Sequence, residues 1–118
     1  MKVTKNTRLL APTGPFITKV SNATPGAPSG QISARAILCR MDVRNMPGVE
    51  EIENDLKVVW TKPDGTSVIK DKSHIDLTCI ASGYAMPEPP EGIAAGDRLK
   101  VKAVFNGVDT NVKNVLVV

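Results

Sequence analysis

Hydrophobic and polar positions alternate along most of the chain beyond residue 30, and a period of two predicts strands. Over 32–43, Ile32, Ala34, Ala36 and Leu38 share one face, then Ile37, Cys39, Met41 and Val43 share the other. That switch near Ile37 predicts a bulge, or a strand passing between two packing environments. Leu56, Val58 and Trp60 alternate with Lys57, Val59 and Thr61, which places Trp60 in the core. Pro63-Asp64-Gly65 then marks a turn, because Pro presets φ and Gly accepts a left-handed conformation. A short returning strand follows over 67–70. Over 73–80, Ile75, Leu77 and Cys79 point inward. Leu99, Val101, Ala103 and Phe105 share one face of a strand whose other face carries Arg98, Lys100 and Lys102. Asn106-Gly107 signals a two-residue hairpin, completed by a strand over 110–118.

Two stretches break the alternation. Residues 44–55 hold Met46-Pro47-Gly48 and four acids, Glu50, Glu51, Glu53 and Asp55, and read as a loop with room for one helical turn. Residues 83–96 hold Met86-Pro87-Glu88-Pro89-Pro90-Glu91, which reads as a loop because Pro lacks the N–H that a central strand needs.

The first 30 residues differ again. They contain four of the nine prolines and three of the nine glycines, so long regular elements are not expected there. Two short extended pieces, over 7–11 and 16–20, are the exceptions. We therefore divide the chain into an extended, basic, Pro/Gly-rich N-terminal arm, 1–30, and a β-domain, 31–118. Fully extended, 30 residues reach about 100 Å.

Charge sharpens this division. The net charge is only +3, yet residues 1–41 carry Lys2, Lys5, Arg8, Lys19, Arg35 and Arg40 and no carboxylate. Residues 42–118 carry nine basic and twelve acidic side chains. Most of the basic character thus belongs to the arm. The cations are spread thinly, and with 3% aromatic residues few flat platforms remain for bases or sugars, so nucleic acid is disfavoured as a partner. No apolar run approaches the roughly 20 residues that span a bilayer, and no signal peptide is visible. Synthesis in a cytoplasm, with no membrane partner, is the expectation.

Catalytic chemistry does not assemble. His74 is the only histidine, and no Ser or Cys nucleophile is placed to work with it and Asp76. The acids of 50–55 lack the Asp/Asn spacing and central Gly of a calcium loop. Gly92 to Gly96 lacks a phosphate-cradling pattern. Cys39 and Cys79 lie 40 residues apart with one distant His, which makes no metal site, and we expect two buried free thiols, the alternative being a disulfide that would need an oxidising compartment and close strand geometry. The expectation is a non-enzymatic protein without metal, cofactor or catalytic residues.

About seven short alternating strands separated by turns suit an all-β sandwich. Leu56 to Trp60 followed by Pro63-Asp64-Gly65, together with Gly92-Ile93-Ala94-Ala95-Gly96-Asp97-Arg98-Leu99-Lys100-Val101, resembles immunoglobulin-like modules over residues 30–118. The order Cys39, Trp60, Cys79 does not extend the likeness to antibody domains. Counting strands puts both cysteines on neighbouring strands of one sheet, and Leu77 stands where a Tyr would precede the second cysteine.

A small sandwich with a basic arm resembles the accessory proteins of phage and virus particles, among them capsid decoration, or cement, proteins. The resemblance implies a virion protein on the capsid surface, made in the host cytoplasm. It implies a dimer or trimer that binds and stabilises neighbouring major capsid subunits, or another virion subunit. Lys2, Lys5, Arg8 and Lys19 would meet an acidic neighbour, and Phe16, Ile17 and the residues to Val20 would add a strand to its sheet. The alternatives are a receptor- or glycan-binding module of a tail fibre or cell surface, using loops 44–55 and 83–96, and a small inhibitor of a host protein.

Overall fold

The computed structural model describes residues 14–52 and 55–118. Lys2, Lys5 and Arg8 lie outside them. The described residues are almost entirely β: β1 Phe16–Asn22, β2 Gln31–Ile32, β3 Cys39–Arg44, β4 Leu56–Thr61, β5 Ser67–Asp71, β6 Ile75–Asp76, β7 Tyr84–Pro87, β8 Arg98–Phe105, β9 Val108–Asp109 and β10 Lys113–Val117. One helical turn, α1 Val49–Ile52, interrupts them. The strands run in the spatial order β5-β4-β8-β10-β2-β1-β3-β7-β6, with β9 on β8, and nearly close into a barrel. The count exceeds the expected seven because β2, β6 and β9 span two residues each, too short for alternation to reveal.

Alternation does place the core. β4 buries Leu56, Val58 and Trp60, and β8 buries Leu99, Val101, Ala103 and Phe105. Cys39, Met41 and Val43 from β3, and Val115 and Val117 from β10, close the other sides. Trp60 is wholly buried, and its Nε1 donates to the Glu88 carbonyl at 3.1 Å, so the indole loses no hydrogen bond.

The face switch expected near Ile37 is real, but it separates two strands. β2 pairs parallel with β10 (Leu116↔Gln31, Val117↔Ile32), whereas β3 pairs antiparallel with β1. Residues 33–38 carry the chain from one part of the sheet to the other. Asn106 (φ 50°) and Gly107 (φ 82°) form the expected hairpin turn, joining β8 to β9 with two successive left-handed residues.

The strand expected over 73–80 shrinks to β6, Ile75–Asp76, and two larger expectations also differ from the structure. Residues 1–13 of the expected arm, with the extended piece over 7–11, lie outside the described residues, and from Phe16 the chain forms β1, which lies between β2 and β3 in the strand order and buries Ile17 and Val20 completely. The junction expected at residue 30 is instead a turn inside the body. Gly30 N–H donates to the Val20 carbonyl at 2.7 Å, and the Gly30 carbonyl accepts from Leu116 N–H at 2.8 Å. Pro25, Gly26, Pro28 and Gly30 therefore mark a connection between strands. The second difference is β7, inside a stretch that its prolines suggested was loop. Pro87 is its last residue, and β7 pairing with β3 reaches only Ala85, so the missing N–H removes no bond to β3.

Candidate functional site

Alternation leaves one face of β1, β3 and β7 outside. On β3 the inward set is Cys39, Met41 and Val43, so Arg40, Asp42 and Arg44 point out. Pairing sets Asp42 beside Lys19 of β1 on one side and Tyr84 of β7 on the other, and sets Arg44 beside Phe16. Three cations, one carboxylate and two aromatic rings thus share one surface.

Their contacts are specific. The Arg40 guanidinium donates from Nε to Asp42 Oδ1 at 2.7 Å and lies 3.9 Å from the centroid of the Tyr84 ring. The hydrogen bond to Asp42 holds the Arg40 guanidinium above its ordinary pKa. The Arg44 guanidinium lies 5.2 Å from the centroid of the Phe16 ring. Each such stack is a weak attraction at an exposed site and holds a flexible cation in place. Tyr84 also meets the Cys79 thiol, whose hydrogen bond, more than burial, raises the phenol pKa. Arg40 is therefore neutralised by Asp42. Among the described residues neither Lys19 nor Arg44 forms an ion pair, so the face keeps an uncompensated positive charge.

The chain enters the body at the Arg44 end of this face. The Gly14 carbonyl accepts from Asn45 Nδ2 at 3.4 Å. Residue 13, the last of the segment that carries Lys2, Lys5 and Arg8, joins the described chain at Gly14, two residues before Phe16, which pairs with Arg44. The basic segment and the basic face are covalently contiguous.

Of the residues expected to meet a partner, Phe16 and Lys19 lie on this face, half-buried. Ile17 does not: it is fully buried, and both its backbone groups are taken by one side chain. Asn111 Oδ1 accepts from Ile17 N–H at 2.6 Å, and Asn111 Nδ2 donates to the Ile17 carbonyl at 3.1 Å. This clamp sits where the β1–β3 register shifts between Ile17 and Lys19, a bulge that lets Thr18 turn outward. β3 pairs with β1 from Phe16 to Asn22, whereas on the other side β2 meets it only at Ser21 and Asn111 holds Ile17. Arg40 and Arg44 were not expected at a site, and Tyr84 entered only with loop 83–96 in the receptor- or glycan-binding alternative. Period-two counting on β3 already aims Arg40 and Arg44 outward, whereas the Tyr84 stack depends on a β3–β7 register that no local pattern encodes.

The thiols differ from the expectation of two buried cysteines. Both are free, but only Cys39 is buried, and burial pushes its pKa up to about 12. Cys79 is half-buried in the turn between β6 and β7, off any strand.

His74 lies in a one-turn 3-10 segment, Lys72–His74, and its Nδ1 is 3.1 Å from Glu88 Oε1. Lys70 Nζ is 3.7 Å from the same oxygen. The group borders a surface cleft of about 410 Å³ lined in part by Ala36, Ile37, Lys70, Glu88, Pro90 and Ile93. No thiol or hydroxyl bonds the imidazole among the described residues, so the group ties β5 to the proline-rich loop and offers no nucleophile. The two long connections do not converge. Residues 45–55 lead into the Leu56 end of β4, whereas Glu88 to Ile93 sit by Trp60 and Lys70 towards its other end. Among the described residues no group of three or more His, Cys, Asp or Glu could hold a metal, and no helix is long and apolar enough to cross a membrane.

No protein-family model matches the chain, and no curated protein matches it.

Proposed function

We propose that this chain is a non-enzymatic structural protein of a virus particle, a capsid decoration protein with an immunoglobulin-like body. The strand order supports the body. Taking β1 and β2 as two halves of a first strand, β1-β3-β7-β6 follows the A-B-E-D order of such modules. The remaining path, β2-β10-β8-β4-β5, continues with G, F, C and an added C′. The first strand changes sheets midway, which joins the two layers into one path.

The single observation that carries the docking role is the positive face of β1, β3 and β7, with Arg40 and Arg44 stacked on Tyr84 and Phe16, at the point where residues 1–13 attach. A pre-ordered arginine loses less freedom on binding a carboxylate than a free one. Lys2, Lys5 and Arg8, in the sequence that precedes this face, carry charge of the same sign. An acidic surface on a major capsid subunit, or on another virion subunit, is the complementary partner. Repetition of that contact over a shell lets each copy bind weakly and still stabilise the whole. Docking proceeds by side-chain contact of this face, because β1 spends one edge on β3 and its Ile17 backbone groups on Asn111.

The test uses the full-length protein and empty shells purified from the phage whose genome carries this sequence. Wild type should sediment with the shells and be released by salt, since screening weakens exposed charge pairs. The double substitution Lys19→Glu and Arg44→Glu should weaken sedimentation about tenfold. Wild type that stays in the supernatant, or a variant that binds equally well, refutes the reading.

A further inference from the structure

The strand path has two ends, and they differ. β6 is two residues long and runs directly from a 3-10 turn, so it offers almost no edge. β5 is five residues long, contains no proline, and pairs only with β4. A strand edge of that length exposes a row of backbone donors and acceptors, which natural proteins normally cover or pair.

Which groups are exposed follows from parity. Lys62 N–H donates to the Thr66 carbonyl at 2.8 Å, and the β4–β5 register continues from there through Thr61↔Ser67 to Lys57↔Asp71. Antiparallel pairs alternate between bonded and non-bonded, so Val68 and Lys70 spend their backbone groups on β4. Ser67, Ile69 and Asp71 turn theirs outward, and no described residue takes them. Side chains obey the same parity. Ile69 is 60% exposed and stands beside Val59, whose next neighbour across the sheet is Lys102.

We infer that the β5 edge pairs with the β5 edge of a second copy about a two-fold axis at Ile69. The occupant is argued from self-complementarity. Antiparallel pairing centred on Ile69 sets Ile69 against Ile69 of the second copy, and Ser67 against its Asp71. These three residues are the ones with free backbone groups, and in this register each meets another, closing six N–H to carbonyl bonds. Val68 lies against Lys70 of the second copy, whose charge already faces Glu88 of its own chain. No like charges stand opposite one another. On the outer surface the register joins Val59, Ile69 and their two symmetry mates into one apolar row across the axis. An isologous contact of this kind closes at two copies and leaves no edge to propagate. It lies on β5, off the face of β1, β3 and β7, and does not depend on what that face binds.

The experiment is light scattering and sedimentation of the full chain, with hydrogen exchange as a second readout. Wild type should have twice the 12.6 kDa chain mass. Ile69→Lys and Ile69→Glu should each be monomeric with an unchanged circular dichroism spectrum. Mixing them should restore the dimer, because position 69 faces itself and the opposite charges then pair. In wild type, the amides of Ser67, Ile69 and Asp71 should gain protection as concentration rises. This holds even where a variant fails to fold. A monomeric or trimeric wild type overturns the proposal. So does an Ile69→Lys variant that stays dimeric, or a dimer in which those three amides exchange freely.

Discussion

Asn111→Ala isolates what holds β1 in the body. The Asn111 amide satisfies both backbone groups of Ile17, accepting from its N–H at 2.6 Å and donating to its carbonyl at 3.1 Å, across 94 residues of sequence. Ile17 is wholly buried, so in the alanine variant neither group readily reaches water. A hydrogen bond contributes about 1 kcal/mol net, but a buried group left without a partner costs about 1–3 kcal/mol. Two such groups, eased by some local relaxation, give a loss of about 2–4 kcal/mol. For a chain of this size the loss lowers Tm by roughly 8–15 °C. Urea unfolding followed by Trp60 fluorescence measures it as a shift in midpoint at constant slope. Asn111→Asp separates the two bonds, since a carboxylate still accepts from Ile17 N–H but repels the carbonyl. It should fall at or below the alanine variant. A loss under about 1 kcal/mol in Asn111→Ala would refute the claim that β1 is clamped into the core.

Other outcomes follow from named residues. In the native protein, iodoacetamide should modify Cys79 and spare Cys39, as read by mass spectrometry of the digested chain, because Cys39 is buried with its pKa pushed up to about 12. The folded Cys39 thiol keeps its proton where the unfolded one, at 9.0, has lost it. Its contribution is therefore complete below about pH 9 and fades up to about pH 12, by roughly 1.4 kcal/mol per unit. Cys39→Ala should flatten the alkaline limb of a stability-against-pH curve by that slope. Gly107→Ala, at φ 82° in the β8–β9 turn, should cost about 1 kcal/mol in urea unfolding, because an L side chain is strained there.

Strand content and core were legible because they are set by alternation, a local signal. Leu56, Val58 and Trp60 on one strand, and Leu99 to Phe105 on another, needed nothing beyond counting. Asn106-Gly107 was legible because two adjacent left-handed residues admit few alternatives. The position of β1 was not. Its alternation is broken by the bulge at Thr18, and it is flanked by prolines and glycines that read the same way in a tether as in a tight connection. β1 is held by its ladder to β3 and by the amide of Asn111 near the other end of the chain, and neither partner is its neighbour in sequence. The positive face of β1, β3 and β7 was half legible. Arg40 and Arg44 follow from the parity of β3. Their stacking on Tyr84 and Phe16 requires two strand registers, which are products of tertiary packing. Cys79 was misplaced for a related reason. Apolar residues recur at every second position over 75–79, but the strand stops at Asp76, where the carboxylate accepts from Thr78 N–H at 2.9 Å and turns the chain.

On the proposed function, the face of β1, β3 and β7 docks this protein on an acidic shell surface. A cryo-electron microscopy reconstruction of purified shells with the protein added should then show ordered density at symmetry-related positions, with Lys19 and Arg44 turned toward carboxylates of the shell. Shells without added density, or density in which that face points to solvent, would contradict it.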